Sequence, residues 1–292
     1  MTTGVAQRSQ AARIANLIKR TVNDLTLSVK SAIFALRNSK GNGLLRPFIF
    51  RRSIEISHIS PFRKIFKKPI TTGILQLPYF GGARLKFDFS DPFQMAVCEE
   101  FVKFEIYDMS LVTFQPVKVI DGGAYRGYFS YLVKNRFPEA RLVCIEPHPG
   151  NYKELMSSFR ENDIQNFEVL NYALAGMQDH IVLELWGSNM AKKEERKESA
   201  EYVSVPAIDL TEMIKKLPKD ESLLLKVDIE GSELDFFPKC IEYLPRTCAV
   251  FLETHDGWNS LPSIKACFEE HGFTFSVIRA RDLYIDSFAI RK

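Results

Sequence analysis

The chain has 292 residues, 46% hydrophobic and 26% charged, the profile of a globular protein with a sizeable core in one large domain or a domain plus an extension. Its five cysteines, Cys98, Cys144, Cys240, Cys248 and Cys267, are scattered and form no Cys-x-x-Cys pair, which argues against a disulfide framework or zinc knuckle and makes a reducing cytoplasm the expected location. The net charge of +3 hides an asymmetry: residues 1–70 hold 14 Lys and Arg against Asp24 and Glu55, a surplus of twelve, so the rest of the chain is negative by nine.

A basic arm on an acidic body points to anionic lipid, anionic glycan or nucleic acid as a partner. Nothing near the start reads as a signal peptide, and no apolar run is long enough to span a bilayer. From Ala11 to Arg37, the residues Ile14, Ile18, Val22, Leu25, Val29, Ile33 and Leu36 recur at helical spacing, with Lys and Arg on the other faces. Such a helix packs on its own domain or on a second subunit of a homo-oligomer, or it lies on an anionic membrane surface at the inner face. Lys40-Gly41-Asn42-Gly43 ends it. Residues 44–90 mix short β-like runs (54–56, 74–77, 85–87) with turns, and Pro92 to Leu111 reads as a helix. The expected division is an arm and irregular extension at residues 1–90 and a main domain at 91–292.

From Val117 onward, strand-like runs appear at 117–121, 141–145, 167–171, 181–186, 202–206, 222–228, 248–253, 273–278 and 283–289. Helical stretches at 127–136, 150–161, 209–216, 231–243 and 260–271 separate most of them. Strands followed by helices predict βαβ units, an α/β fold with a mostly parallel sheet, and the last two runs predict a C-terminal antiparallel hairpin. The run Lys192 to Glu201 reads as a solvated loop, with a lid over a cleft as the alternative.

In such a sheet ligands bind at the carboxyl ends of the strands. The first strand ends in Val119-Ile120-Asp121-Gly122-Gly123-Ala124-Tyr125-Arg126-Gly127. The glycine spacing fails both the dinucleotide fingerprint and the phosphate loop. An aspartate directly before the glycines also repels a pyrophosphate and suits a cationic ligand such as S-adenosylmethionine. Asp121, Gly122, Gly123, Ala124, Tyr125 and Gly127 are therefore the candidates for cofactor contact in this loop. The next strand ends in Glu146-Pro147-His148-Pro149, where the Glu146 carboxylate can accept both ribose hydroxyls of an adenosine. His148, between two prolines, is expected to fix a loop. A third strand, Leu224-Leu225-Lys226-Val227-Asp228, runs into Ile229-Glu230-Gly231-Ser232-Glu233. Carboxylates are costly to bury unless paired, so this run marks a working cleft.

In chain order, VIDGGAYRGYFS, CIEPHPGNY, VLNYALAG, LLKVDIEGSE and FLETH resemble the FkbM family of class I S-adenosylmethionine methyltransferases over roughly residues 95–260. The resemblance implies a Rossmann-like, seven-stranded, mostly parallel sheet closed by an antiparallel hairpin. It also implies methyl transfer to a hydroxyl of a sugar, glycan or secondary metabolite. It places Asp121, Gly123 and Glu146 against the cofactor, with Asn171, Tyr172 and Ala173 near the adenine. The family has Asn and an aliphatic residue where Tyr125 and Arg126 stand, which leaves Arg126 either as a cation for the methionyl carboxylate or as a solvent-facing residue.

An alcohol needs help to lose its proton during methyl transfer. Asp228, Glu230 and His255 are the catalytic candidates, with Asp228 also reaching the methionine end of the cofactor. No metal site is assigned. Asp228, Glu253 and Asp256 are nevertheless hard oxygen ligands that a Mg²⁺ could use to polarise a diol, which makes metal-assisted O-methylation the competing mechanism. A nucleic-acid or other N-methyltransferase is a second alternative. The acidic Asp228-Ile229-Glu230-Gly231 segment opposes it, because it repels phosphate and replaces the Asp/Asn-Pro-Pro-aromatic motif of base-amine methylation.

Overall fold

A computed structural model describes residues 72–76, 78–88, 94, 97, 100–101, 105–174, 179–186, 189–192, 201–228, 233–255, 257–281 and 284–292. The arm helix expected at 11–37, the β-like run at 54–56 and most of the charge run at 192–201 lie outside the described residues. Contacts divide the chain into two units, Met1–Pro78 with Lys86–Ser90, and Tyr79–Leu85 with Asp91–Lys292. The described part of the first consists of strand β1 (Thr72–Gln76) and most of β2 (Arg84–Asp88), which pair as a two-stranded sheet.

In the second unit, β3 (Lys118–Gly122) leads into α1 (Tyr128–Arg136), and β4 (Arg141–Ile145) into α2 (Pro149–Glu161). Strands β5 (Phe167–Leu170), β6 (Ala173–Leu174), β7 (His180–Trp186), β8 (Asn189–Lys192) and β9 (Glu201–Ile208) follow, then α3 (Leu210–Lys215). The remainder is β10 (Leu223–Val227), α4 (Glu233–Cys240), β11 (Cys248–His255), α5 (Gly257–Glu270), β12 (Thr274–Ala280) and β13 (Tyr284–Arg291). Seven strands form the main sheet in the order β12-β13-β11-β10-β3-β4-β5. The neighbours from β11 to β5 are parallel, while β13 runs antiparallel to both β11 and β12. All five residues of β10 are buried, as a central strand covered on both faces requires.

Two expectations need correction. The runs at 181–186 and 202–206 are not part of the main sheet; they belong to a four-stranded sheet, β6-β9-β7-β8, in which β7 pairs antiparallel with both β8 and β9. The cause is their one-sided burial: Ile181 and Leu183 are buried while Val182 between them is 40% exposed, which suits an antiparallel sheet with one open face. The helix expected to reach Leu111 also stops earlier. Residues 94, 97, 100 and 101 are helical, but Glu105 takes a positive φ of 47°. Asp108 then caps a separate 3-10 turn, Met109–Leu111, by accepting from Ser110 N.

The sheet buries two different faces. Ile120, Val143, Leu225 and Val250 pack with Phe237, Ile264 and Phe268 of α4 and α5. Strand alternation sends the intervening residues to the other face. There the pairing register aligns Phe288, Phe251, Lys226, Asp121 and Cys144 in one row across five strands. Tyr107 and Phe129 close over Phe251 with ring centroids 5.5 and 6.0 Å away. The chain leaves β3 toward β5 on one side and returns to β10 on the other, so the carboxyl ends of β3 and β10 form the crevice at the point of reversal.

Gly127 caps α1 with φ 83°, and a Cβ there would stand 2.5 Å from Leu155 Cδ1 and 2.9 Å from Phe159 Cε1 of α2. Its hydrogen side chain is what lets the two helices approach. Gly127→Ala is expected to cost about 2–4 kcal/mol through left-handed strain and overpacking, read as a lower thermal midpoint. An unchanged midpoint with weakened cofactor binding would instead make Gly127 a ligand-contact position.

Candidate active site

The loop after β3 spends its backbone donors internally. Gly123 N and Ala124 N both donate to Ile145 O, at 3.0 and 2.9 Å, and Gly127 N donates to Ala124 O at 2.8 Å. Tyr125 N donates to Glu146 Oε2 at 2.6 Å. A phosphate cradle needs such N–H groups aimed at the ligand, and these are not. Gly123 has φ 74°, and a Cβ on it would overlap the carbonyl oxygen of Asp228. The loop therefore lies directly against the end of β10.

Tyr125 occupies the left-handed region at φ 51°, which Gly or Asn fills at less cost than Tyr. Its N–H bond to Glu146 and an edge contact with Tyr128 at 5.8 Å hold it there. Arg126 does not face solvent. It pairs with Glu154 of α2, Nη1 to Oε2 at 2.7 Å, with its side chain only 13% exposed.

Glu146 ends β4 and is buried. Oε2 accepts from Tyr125 N, and Oε1 accepts from His148 N at 2.9 Å and Asn151 Nδ2 at 3.3 Å. Burial pushes its carboxyl up to about 7, partly offset by those donors. His148 fixes the loop: its Nδ1 caps α2 by accepting from Gly150 N and Asn151 N. Asn171 donates to the carbonyls of Glu146 and Pro147 at 2.8 and 2.9 Å, so it shapes this loop from behind. Tyr172 is 36% exposed, and Ala173 is buried among Ile181, Leu183 and Val205.

Lys226 is the site residue the sequence reading passed over. Its ammonium is buried and donates to Gly123 O at 2.6 Å, with Asp228 Oδ2 at 3.5 Å and Asp121 Oδ1 at 3.7 Å. Burial alone would lower its pKa, but Asp228 and Asp121 outweigh that and raise it. Asp121 does not gain in step: burial raises it more than Lys226 and a 2.6 Å hydrogen bond from Ser130 Oγ lower it. The reason is that one cation is shared between two carboxylates. Asp121 Oδ1 has no hydrogen-bond partner among the described residues.

Alternation along β11 carries Glu253 and His255 onto the face that holds Lys226 and Asp228. His255 Nε2 lies 4.0 Å from Asp228 Oδ1 and 3.5 Å from Glu253 Oε1. Asp286 stands opposite Glu253 in register. Arg281 lies 3.6 Å from both of these carboxylates and pairs with Glu100, which also lies 3.8 Å from Arg279. Tyr107 is buried over this group, its phenol pushed up by burial and then by Asp228, Glu253, Asp286 and Asp121. The candidates Glu230 and Asp256 lie outside the described residues.

These residues fit S-adenosylmethionine. The crevice is lined by carboxylates in excess of cations, includes a buried Asp121 oxygen that accepts no hydrogen bond from the described residues, and offers no phosphate cradle. Glu146 would hold the ribose hydroxyls, and Asp121 and Asp228 would face the cationic methionine end.

Two predictions follow from this electrostatics. The Glu146 carboxyl is raised from 4.5 to about 7 in the folded chain, so its stability contribution is complete below the lower value and is lost as pH rises through the upper one. The ligand-free thermal midpoint is expected to fall between about pH 5 and pH 8, with a flatter slope in Glu146→Gln. Affinity for S-adenosylmethionine should rise up to about a hundredfold over the same interval, because ribose hydroxyls need the ionised acceptor, and the rise should vanish in the variant, as read by calorimetry. Lys226→Met leaves Asp121 and Asp228 without their shared cation and is expected to cost about 3–5 kcal/mol in denaturant unfolding; a loss below about 1 kcal/mol would show the ion pairs to be dispensable.

A family model described as the methyltransferase FkbM domain matches residues 121–275. The chain is 26% identical over 217 residues to the methyltransferase sdnD of Sordaria araneosa, covering 63% of this chain and 83% of that protein. Among solved structures, it is similar to M. jannaschii TYW2 in complex with AdoMet, at 14% identity and TM-score 0.45, covering 77% of this chain and 88% of that one. A putative transferase from Pyrococcus horikoshii is similar at 13% identity and TM-score 0.47, covering 85% and 84%. The Asp121 loop, Glu146, Lys226, Asp228 and His255 all fall within the family match, which spans more than half of the chain. The chain belongs to the FkbM methyltransferase family and is an S-adenosylmethionine-dependent methyltransferase.

Proposed function

We propose that the protein methylates a hydroxyl group of a sugar, a glycan or a secondary metabolite. The observation that carries this reading is the acidic rim at the ends of β10 and β11. Asp228, 29% exposed, stands there beside the less exposed Glu253 and His255, at 14% and 11%. A hydroxyl is a weak nucleophile at neutral pH and needs a group that draws off its proton as it reacts. This rim supplies such groups, whereas a polyanionic acceptor such as nucleic acid would be repelled by it.

S-adenosylmethionine supplies an electrophilic methyl group on a sulfonium. The protein's own part is alignment, exclusion of water and management of the acceptor proton. Glu146 and the loop from Asp121 to Tyr125 would fix the nucleoside, and Lys226 keeps the Asp228 carboxylate at the crevice mouth. Tyr107, Phe129 and Phe251 make a dry floor beneath it. The acceptor hydroxyl then faces Asp228, with Glu253 and His255 behind it to take the charge that develops.

The test is a methyl-transfer assay over glycan and small-molecule hydroxyl acceptors, with the product identified by mass. Asp228→Asn is expected to lower kcat by about 100-fold or more. Transfer confined to nucleobase amines, or activity indifferent to Asp228→Asn, would overturn the reading.

A further inference from the structure

The rim holds more ligand atoms at one point than direct proton transfer requires. Asp228, Glu253 and His255 each place one ligand atom so that all lie within 4.8 Å of one another. His255 Nε2 is 4.0 Å from Asp228 Oδ1, too long for a direct hydrogen bond, and 3.5 Å from Glu253 Oε1. A cation about 2.1 Å from each ligand sets neighbouring ligand atoms roughly 3–3.5 Å apart. Small rotations of these partly exposed side chains reach that spacing.

A second observation points the same way. Asp286 has a side chain only 5% exposed, stands directly across from Glu253 and lies, like Glu253, 3.6 Å from Arg281. Its Oδ2 has no hydrogen-bond partner among the described residues. A buried carboxylate behind a ligating one is the arrangement that orients metal ligands. The network running from Asp121 to Glu100 also joins five carboxylates to four basic side chains, Lys226, His255, Arg279 and Arg281.

We propose that Asp228, Glu253 and His255 form a divalent-cation site, open on its solvent side, whose free positions receive oxygens of the methyl acceptor. Two carboxylates and an imidazole suit a first-row ion such as Mn²⁺ better than Ca²⁺ or Mg²⁺, which prefer all-oxygen shells. An oxygen bound to such an ion is more acidic, so the ion does the work otherwise left to Asp228 as a direct proton acceptor. The role given to the acceptor rests on the methyl-transfer reading, but the site itself does not.

The full chain, stripped with a chelator and dialysed, is titrated with Mn²⁺ while free ion is followed by electron paramagnetic resonance. One Mn²⁺ per chain is expected, with ¹⁴N coupling from an imidazole in the bound spectrum. Glu253→Gln and His255→Gln are expected to weaken binding at least about tenfold, and Asp286→Asn by about tenfold; His271→Gln, remote from the rim, should leave it unchanged. Absence of a bound ion, absence of nitrogen coupling in the unaltered protein, or binding indifferent to both ligand variants would overturn the proposal. S-adenosylmethionine binding is measured by calorimetry on the chelated protein. Cofactor binding without Mn²⁺ binding sinks this inference alone. Mn²⁺ binding without cofactor binding sinks the methyl-transfer reading and leaves the ion site standing.

Discussion

An ammonium group removed from water must be surrounded by negative charge or acceptors, because the desolvation cost is several kcal/mol. Lys226 meets that requirement with three partners from two strand ends: the Asp121 and Asp228 carboxylates and the Gly123 carbonyl. Much of the crevice follows from this. The Gly123 carbonyl is drawn toward β10, so the loop lies too close to Asp228 O to admit a Cβ. Asp228 is held at the mouth, and Asp121 is held beneath the loop with one oxygen that accepts no hydrogen bond from the described residues. A single buried cation thus organises a site whose remaining charge is negative and whose natural ligand is cationic.

The same arrangement explains why the glycine-rich loop handles a nucleoside without a phosphate. In a phosphate-binding loop the backbone N–H groups converge on the ligand. Here Gly123, Ala124, Tyr125 and Gly127 direct theirs to Ile145, Glu146 and Ala124. What the loop presents instead is shape and carboxylate charge. Glu146 is buried and pushed up in pKa, so it is poised between a hydrogen-bond donor and an acceptor until hydroxyl groups arrive to favour the ionised form.

Much of the fold was legible because its signals are local. The strands at 141–145 and the helices beginning near 128, 149 and 210 follow from apolar period and capping residues. The separate four-stranded sheet was harder to see. Its strands look like any others as runs, and only the exposure of Val182 between buried Ile181 and Leu183 marks them as one-sided. At the site, Asp121, Glu146 and Asp228 stand at strand tips where sequence reasoning looks. Lys226 reads as an interruption in a leucine strand, and its meaning comes from register, which sets it beside Asp121 and Phe251. A signal was nonetheless present: Lys226 and Asp228, and likewise Glu253 and His255, are two residues apart on strands, so each pair shares a face. Asp286 and Arg281 come from the C-terminal hairpin, and no local pattern links them to residues before 256.

The place of β13 has a consequence for how the chain is made. It follows every other strand in sequence, yet it sits inside the sheet between β11 and β12. A ribosome therefore delivers β11, α5 and β12 first, and until residues 284–291 emerge the nascent sheet has a gap with two unpaired strand edges. Glu253 is without Asp286 over that interval, and the carbonyls of His271, Leu244 and Pro245 are without Arg291. The rim that handles the acceptor is thus among the last parts to assemble, and a chain halted before β13 would be both inert and sticky, a ready client for chaperones and proteases.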